Sequence, residues 1–191
     1  MEGSKRVHTG RLILAPTTPD YPLEPAGLLN TLRKGGFIGA PLQGIEQGYL
    51  VGERFLNLIT FAGCSVRIAL APPEDGSPFC HIILDGPHQS PYLFWGRNTR
   101  PPRCPACEAP CKDWRPQVDE WVSGSAPGLT CGQCGATAEL GSWNWRENAG
   151  FGRLFLRVEE VFPGEAVPTP ALMSLLEQAS GTGWRHFYVQ D

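Results

Sequence analysis

Hydrophobic and polar positions divide the chain into three stretches of different texture. In the first, from about Val7 to Gly96, Leu28, Leu29 and Leu32 recur at helical spacing, and Pro25 stands where a helix can begin. Arg33 and Lys34 suit the last turn of that helix, and Gly35-Gly36 should end it. Short apolar runs follow: residues 65–70, 79–84 and 92–95 read as strands, punctuated by Pro72-Pro73 and Gly86-Pro87. Residues 55–61 fit a helix or a buried strand equally well, because so short a run carries no decisive period.

The last stretch, 142–191, has a similar texture. Residues 151–158 read as a strand with Leu154, Leu156 and Val158 on one face and Arg153, Phe155 and Arg157 on the other. Pro163-Gly164 makes a turn, and Thr169-Pro170 opens a helix whose Leu172, Leu175, Leu176 and Ala179 share a face. Gly181 ends it, and residues 184–189 form a closing strand. Between these two stretches, residues 97–141 hold five of the seven cysteines and few aliphatic side chains. Such a segment needs a staple to fold. The expected fold class is therefore α+β. Residues 1–96 and 142–191 together form one mixed-sheet domain with few helices, and 97–141 is an inserted module; two domains in series is the alternative.

Composition adds limits to this outline. At 191 residues, 41% of them hydrophobic, the chain has the make-up of a globular domain with a small satellite. Gly 23 and Pro 19 favour short elements joined by many turns. The net charge of −3 gives little whole-molecule attraction to polyanions. Its distribution is uneven, however. Between Trp95 and Pro116, five basic side chains face two acidic ones, a local +3 that leaves −6 for the remainder. No apolar signal core follows the N-terminus, and the longest apolar run, residues 55–66, is too short to span a bilayer. The expectation is a cytoplasmic protein without membrane contact, a compartment where cysteines serve metals more readily than disulfides.

The cysteines are arranged for that. Arg103-Cys104-Pro105-Ala106-Cys107 is followed, after 23 residues, by Cys131-Gly132-Gln133-Cys134-Gly135. Each Cys-x-x-Cys forms a tight turn that aims two sulfurs at one ion, and two such turns supply a tetrahedron of thiolates. Gly132 and Gly135 are expected to ease the bend. This Cys-Pro-x-Cys and Cys-x-x-Cys-Gly pair resembles a zinc ribbon over residues 103–140. The resemblance implies a β-hairpin module with one structural zinc ion on Cys104, Cys107, Cys131 and Cys134, and says nothing of the rest of the chain. The same ligand set also resembles rubredoxin, with iron as electron carrier. Thioredoxin-like chemistry is disfavoured by Pro110 and Pro116, which interrupt the helix it requires. A zinc nucleobase deaminase needs His-x-Glu, which none of the four histidines supplies.

Cys111 reads as a bystander, and Cys64 and Cys80 as buried thiols. Cys80-His81 with Asp85 and His88 is the best polar cluster outside the module, though a buried cysteine beside a polar turn accounts for it. Arg97, Arg100, Arg103 and Arg115, with Trp95 and Trp114, have the ingredients of a single-stranded nucleic-acid surface, or of a solvated rim over packed tryptophans. Trp143 and Trp145 either anchor a protein partner or cover the core. No catalytic residue or organic cofactor site is expected. The function expected is a non-enzymatic, cytoplasmic, zinc-binding interaction module with a protein partner. A nucleic-acid-binding zinc ribbon and a rubredoxin-like carrier are the alternatives.

Overall fold

The computed structural model describes residues 10–62 and 68–190. It is an α+β fold of antiparallel strands and four helices. The main sheet comprises β1 (Arg11–Pro16), β2 (Ile38–Pro41), β3 (Gly48–Val51), β5 (Ile82–Asp85), β10 (Phe155–Glu159) and β12 (Trp184–Val189). Their order is β12-β1-β10-β5-β3-β2. Strands from both sides of the cysteine-rich stretch thus alternate within one sheet: β1 lies between β10 and β12, with Leu14 opposite both Leu156 and His186.

Alternation in β1 separates two apolar layers. Leu12 and Leu14 join Leu156, Val158, Ile82, Leu84 and Tyr188 beneath α1 (Pro25–Lys34) and α4 (Pro170–Ser180), which contribute Leu28, Leu32, Leu172 and Leu176. Ile13 and Ala15 face the other way, against Phe155, Phe187 and Val189. That second face is covered by a two-stranded ribbon, β6 (Tyr92–Trp95) paired with β9 (Ala149–Gly152). Tyr92 and Phe94 pack down onto Phe155 at ring separations of 5.1 and 5.2 Å. Gly150 is required there, since a Cβ would collide with the Phe187 ring. Two further strands, β4 (Ile59–Phe61) and β11 (Ala166–Pro168), pair at the side.

Several sequence expectations hold. The helix from Pro25 stops at Gly35, and β6 and β12 have the expected bounds. The Thr169 hydroxyl accepts from the Leu172 amide, and Gly181 ends α4 at φ 73°. Residues 55–61 prove to be both things in turn, α2 (Phe55–Leu58) running into β4. Other expectations need correction. The strand expected over 151–158 is broken at 153–154 and serves two different sheets. Of residues 65–70, 65–67 lie outside the described residues and 68–70 form no strand. Cys64 also lies outside them.

Candidate metal centre

The segment between β6 and β9 carries two hairpin tips that match each other bond for bond. In the first, the Cys104 amide donates to Ala109 O (2.9 Å) and the Glu108 amide to Cys104 O (2.9 Å). In the second, the Cys131 amide donates to Ala136 O (2.8 Å) and the Gly135 amide to Cys131 O (2.9 Å). The residue after the second cysteine must turn left-handed in both. Gly135 does so at φ 72° without penalty, and Glu108 does so at φ 59° against its preference. Gly132 has no such conformation and nothing near its missing Cβ, so the expected need for glycine there does not hold.

The tips bring Cys104, Cys107, Cys131 and Cys134 together, with all four sulfurs within 4.8 Å of one another. Cys104 Sγ lies 3.8 Å from Cys134 Sγ, and Cys107 Sγ lies 3.6 Å from Cys131 Sγ. A tetrahedron with metal–sulfur bonds of about 2.3 Å has edges of about 3.8 Å, so the spacing fits one ion. Backbone amides turn toward the sulfurs. Ala106 N–H points at Cys104 Sγ (3.4 Å). The amides of Cys134 and Gln133 point at Cys131 and hold its thiol at about 7, below the ordinary value. Four cysteines in this arrangement can hold a metal ion. Cys104 and Cys131 are buried, whereas Cys107 and Cys134 face solvent.

What supports the tips is largely absent from the sequence reading. A helix, α3 (Trp114–Val122), joins them, and Pro116 does not interrupt it. Pro116 stands in the first turn, where an amide hydrogen has no intrahelical acceptor. From this helix the Gln117 side chain clamps the strand leading into Cys131: it accepts from the Thr130 amide (2.6 Å) and donates to Thr130 O (3.3 Å). That strand, β7 (Leu129–Thr130), pairs with β8 (Thr137–Ala138). Under the tips lies a second apolar cluster of Trp114, Val118, Leu129, Leu140, Trp143, Trp145 and Phe151. Trp114 is fully buried and meets Trp95 and Trp145 edge to face at 5.2 and 5.3 Å.

The exposed Trp143–Trp145 pair is overturned by this packing. Both side chains are under 5% exposed, and their indole N–H groups donate to Ala138 O and Leu140 O. They hold up the module and present nothing to a partner. Cys111 stays outside the sulfur cluster, buried beside Asp113 and Gln117, where burial first and Asp113 second push its thiol up to about 11. The basic residues separate. Arg115 stacks on Trp114 (4.5 Å) and reaches Trp95 (5.5 Å). Arg103 braces the first tip by donating to Glu108 O. Arg100 lines an open groove of about 480 Å³ with Glu147, Phe162 and Glu165.

The constellation around Cys80 also divides. Cys80 is buried in the helix-side core, and burial pushes its thiol up to about 12. Asp85 and His88 do meet, His88 Nε2 lying 2.8 Å from Asp85 Oδ1, and Tyr92 and Arg157 donate to the other oxygen. Arg157 and Arg11 then share Glu159, giving a chain of alternating charge along the ribbon side of the sheet. Among the described residues, no helix is long and apolar enough to cross a membrane. Compared with models of known protein families, with curated proteins and with solved structures, the chain matches none, so the zinc-ribbon resemblance rests on the cysteine motifs alone.

Proposed function

We propose that the protein is a non-enzymatic zinc-binding protein whose cysteine module works as a surface for a protein partner in a reducing, cytoplasmic setting. The observation that carries this reading is the closed set of four sulfurs on Cys104, Cys107, Cys131 and Cys134. Four thiolates fill a tetrahedral sphere, so an ion held there has no position for water or substrate and acts as a staple. The staple fixes Trp114 and α3, and through them the placement of Trp95 and Arg115 at the surface. Tryptophan and arginine are the residue types that most often anchor protein interfaces. Acidic side chains at Glu108, Asp113, Asp119 and Glu120 interrupt the same region, which disfavours an extended phosphate backbone.

Metal analysis of protein purified under reducing conditions tests the reading. One zinc per chain is expected, lost on substitution of any of the four cysteines by serine and retained in Cys111→Ser. A coloured protein containing ferric iron would instead assign the rubredoxin-like alternative. Salt-sensitive, tight retention on single-stranded DNA or RNA would replace the protein partner by a nucleic acid.

A further inference from the structure

We infer that the four cysteines form a peroxide-responsive switch, in which oxidation replaces the metal by two disulfides across the tips, Cys107–Cys131 and Cys104–Cys134. The inference rests on the zinc site proposed above and adds how that site is regulated. Its basis is the way exposure and distance pair the sulfurs. Cys107 and Cys134 face solvent, one from each tip, whereas Cys104 and Cys131 are buried. Each exposed sulfur has a buried sulfur of the opposite tip against it: Cys107 Sγ lies 3.6 Å from Cys131 Sγ, and Cys134 Sγ lies 3.8 Å from Cys104 Sγ. A small neutral oxidant therefore meets the outer sulfurs first, and a sulfur able to resolve the product stands behind each of them. Closing either gap to a disulfide of about 2.0 Å takes a combined movement of less than about 2 Å.

The outer thiolate attacks one oxygen of hydrogen peroxide. The O–O bond breaks, a sulfenic acid forms, and the other oxygen leaves as hydroxide. The buried thiolate then attacks the oxidised sulfur, so that the S–S bond forms as the S–O bond breaks and a second hydroxide leaves. Two protons from solvent turn the hydroxides into water. Each pair thus gives two electrons to one peroxide, and an ion that has lost its thiolates is released. Cys111 stands apart from this exchange, buried against Asp113, Gln117 and Thr130 O. The partners are 24 residues apart in Cys107–Cys131 and 30 in Cys104–Cys134, and in each they belong to different tips. Both bonds join what the metal would join, so Thr130 stays under the Gln117 clamp and Trp114 stays packed on Trp145. Disulfides within either Cys-x-x-Cys would leave the tips untied. The staple changes, and the module keeps its shape.

The zinc-loaded full chain can be treated with graded hydrogen peroxide while a chromogenic chelator reads the metal released. Remaining thiols are then alkylated and the peptides mapped without reduction. About two peroxides should be consumed per zinc released. The peptide holding Cys104 and Cys107 should be joined to the one holding Cys131 and Cys134, with fragmentation assigning the two pairs and Cys111 alkylated. Cys111→Ser should give the same linkage at the same rate. The near-ultraviolet tryptophan signature should survive oxidation and be lost when a chelator removes zinc from the reduced chain. Dithiothreitol with zinc should restore the starting state. Separate tip peptides, a linkage through Cys111, sulfinic or sulfonic acids without disulfide, or loss of the signature on oxidation overturns the inference. So does a signature that survives chelation of the reduced chain, since the module would then need no staple. A chain isolated without zinc counts against the proposed function, whereas the sulfur pairing is mapped on the peptides in either case.

Discussion

Glu108 and Gly135 occupy the same place in two matching turns, and the comparison isolates one backbone cost. The turn's backbone bonds match in both, the extra bond from Arg103 ends on the Glu108 carbonyl that any residue keeps, and nothing lies near the missing Cβ of Gly135, so the left-handed conformation decides. Glu108→Gly should therefore stabilise the module by roughly 1 kcal/mol, and Gly135→Ala should destabilise it by about 1 kcal/mol. Thermal unfolding of the zinc-loaded protein checks both, and equal effects of the same sign would refute the argument. The clustering of the four cysteines is legible at this scale because paired Cys-x-x-Cys spacing reports a local turn. Glu108 was not legible, since its strain comes from copying a turn in which glycine is the easier residue. Nor was the burial of Trp143 and Trp145. Alternation places two side chains on one face, and only the packing over Trp114 says that the face points inward.

Among the elements, α3 is the one that changes how the module is understood. Trp114, Val118 and Trp121 recur at helical spacing, but Pro116 between them looks like a breaker and hides the helix in the sequence. Position resolves this: a proline in the first turn breaks no hydrogen bond. The helix then gives Gln117 its two bonds to Thr130, one residue before Cys131. Gln117→Ala should speed zinc transfer to a chelator several-fold while leaving one zinc bound at equilibrium, because it loosens the support and keeps every ligand. An unchanged transfer rate would show the clamp to be incidental. At α4 the Thr169 hydroxyl caps Leu172 and also donates to Leu58 O, so Thr169→Ala should cost about 1 kcal/mol in a denaturant titration. That cap was readable from Thr-Pro. The continuous apolar strand β1 was not, because burial on both faces erases the alternation that marks a half-buried strand.

For the whole molecule, the sheet and the metal module draw on different distances along the chain. The four clustered cysteines lie within about thirty residues of one another, whereas β1 finds its partner strand β12 far along the chain, Arg11 opposite Val189. The α+β class was legible from the mixture of periods, but this pairing was not, since nothing local in β1 names its neighbour. Deleting residues after Gly183 should accordingly leave zinc bound to the four cysteines while the main sheet loses its cooperative unfolding transition. Loss of both together would show that the module depends on the completed sheet. The same arrangement has a meaning during synthesis. Strand β1 emerges well before β12, and its apolar residues must wait for residues 184–189 before that edge is covered. The cysteine tips, by contrast, draw their hydrogen bonds and apolar support from residues no later than Phe151. Supply of metal and synthesis of residues 184–189 would thus be two separate clocks, and a translational pause before Trp184 would hold a half-built sheet with the cysteine tips already closed and β1 still unprotected along one edge.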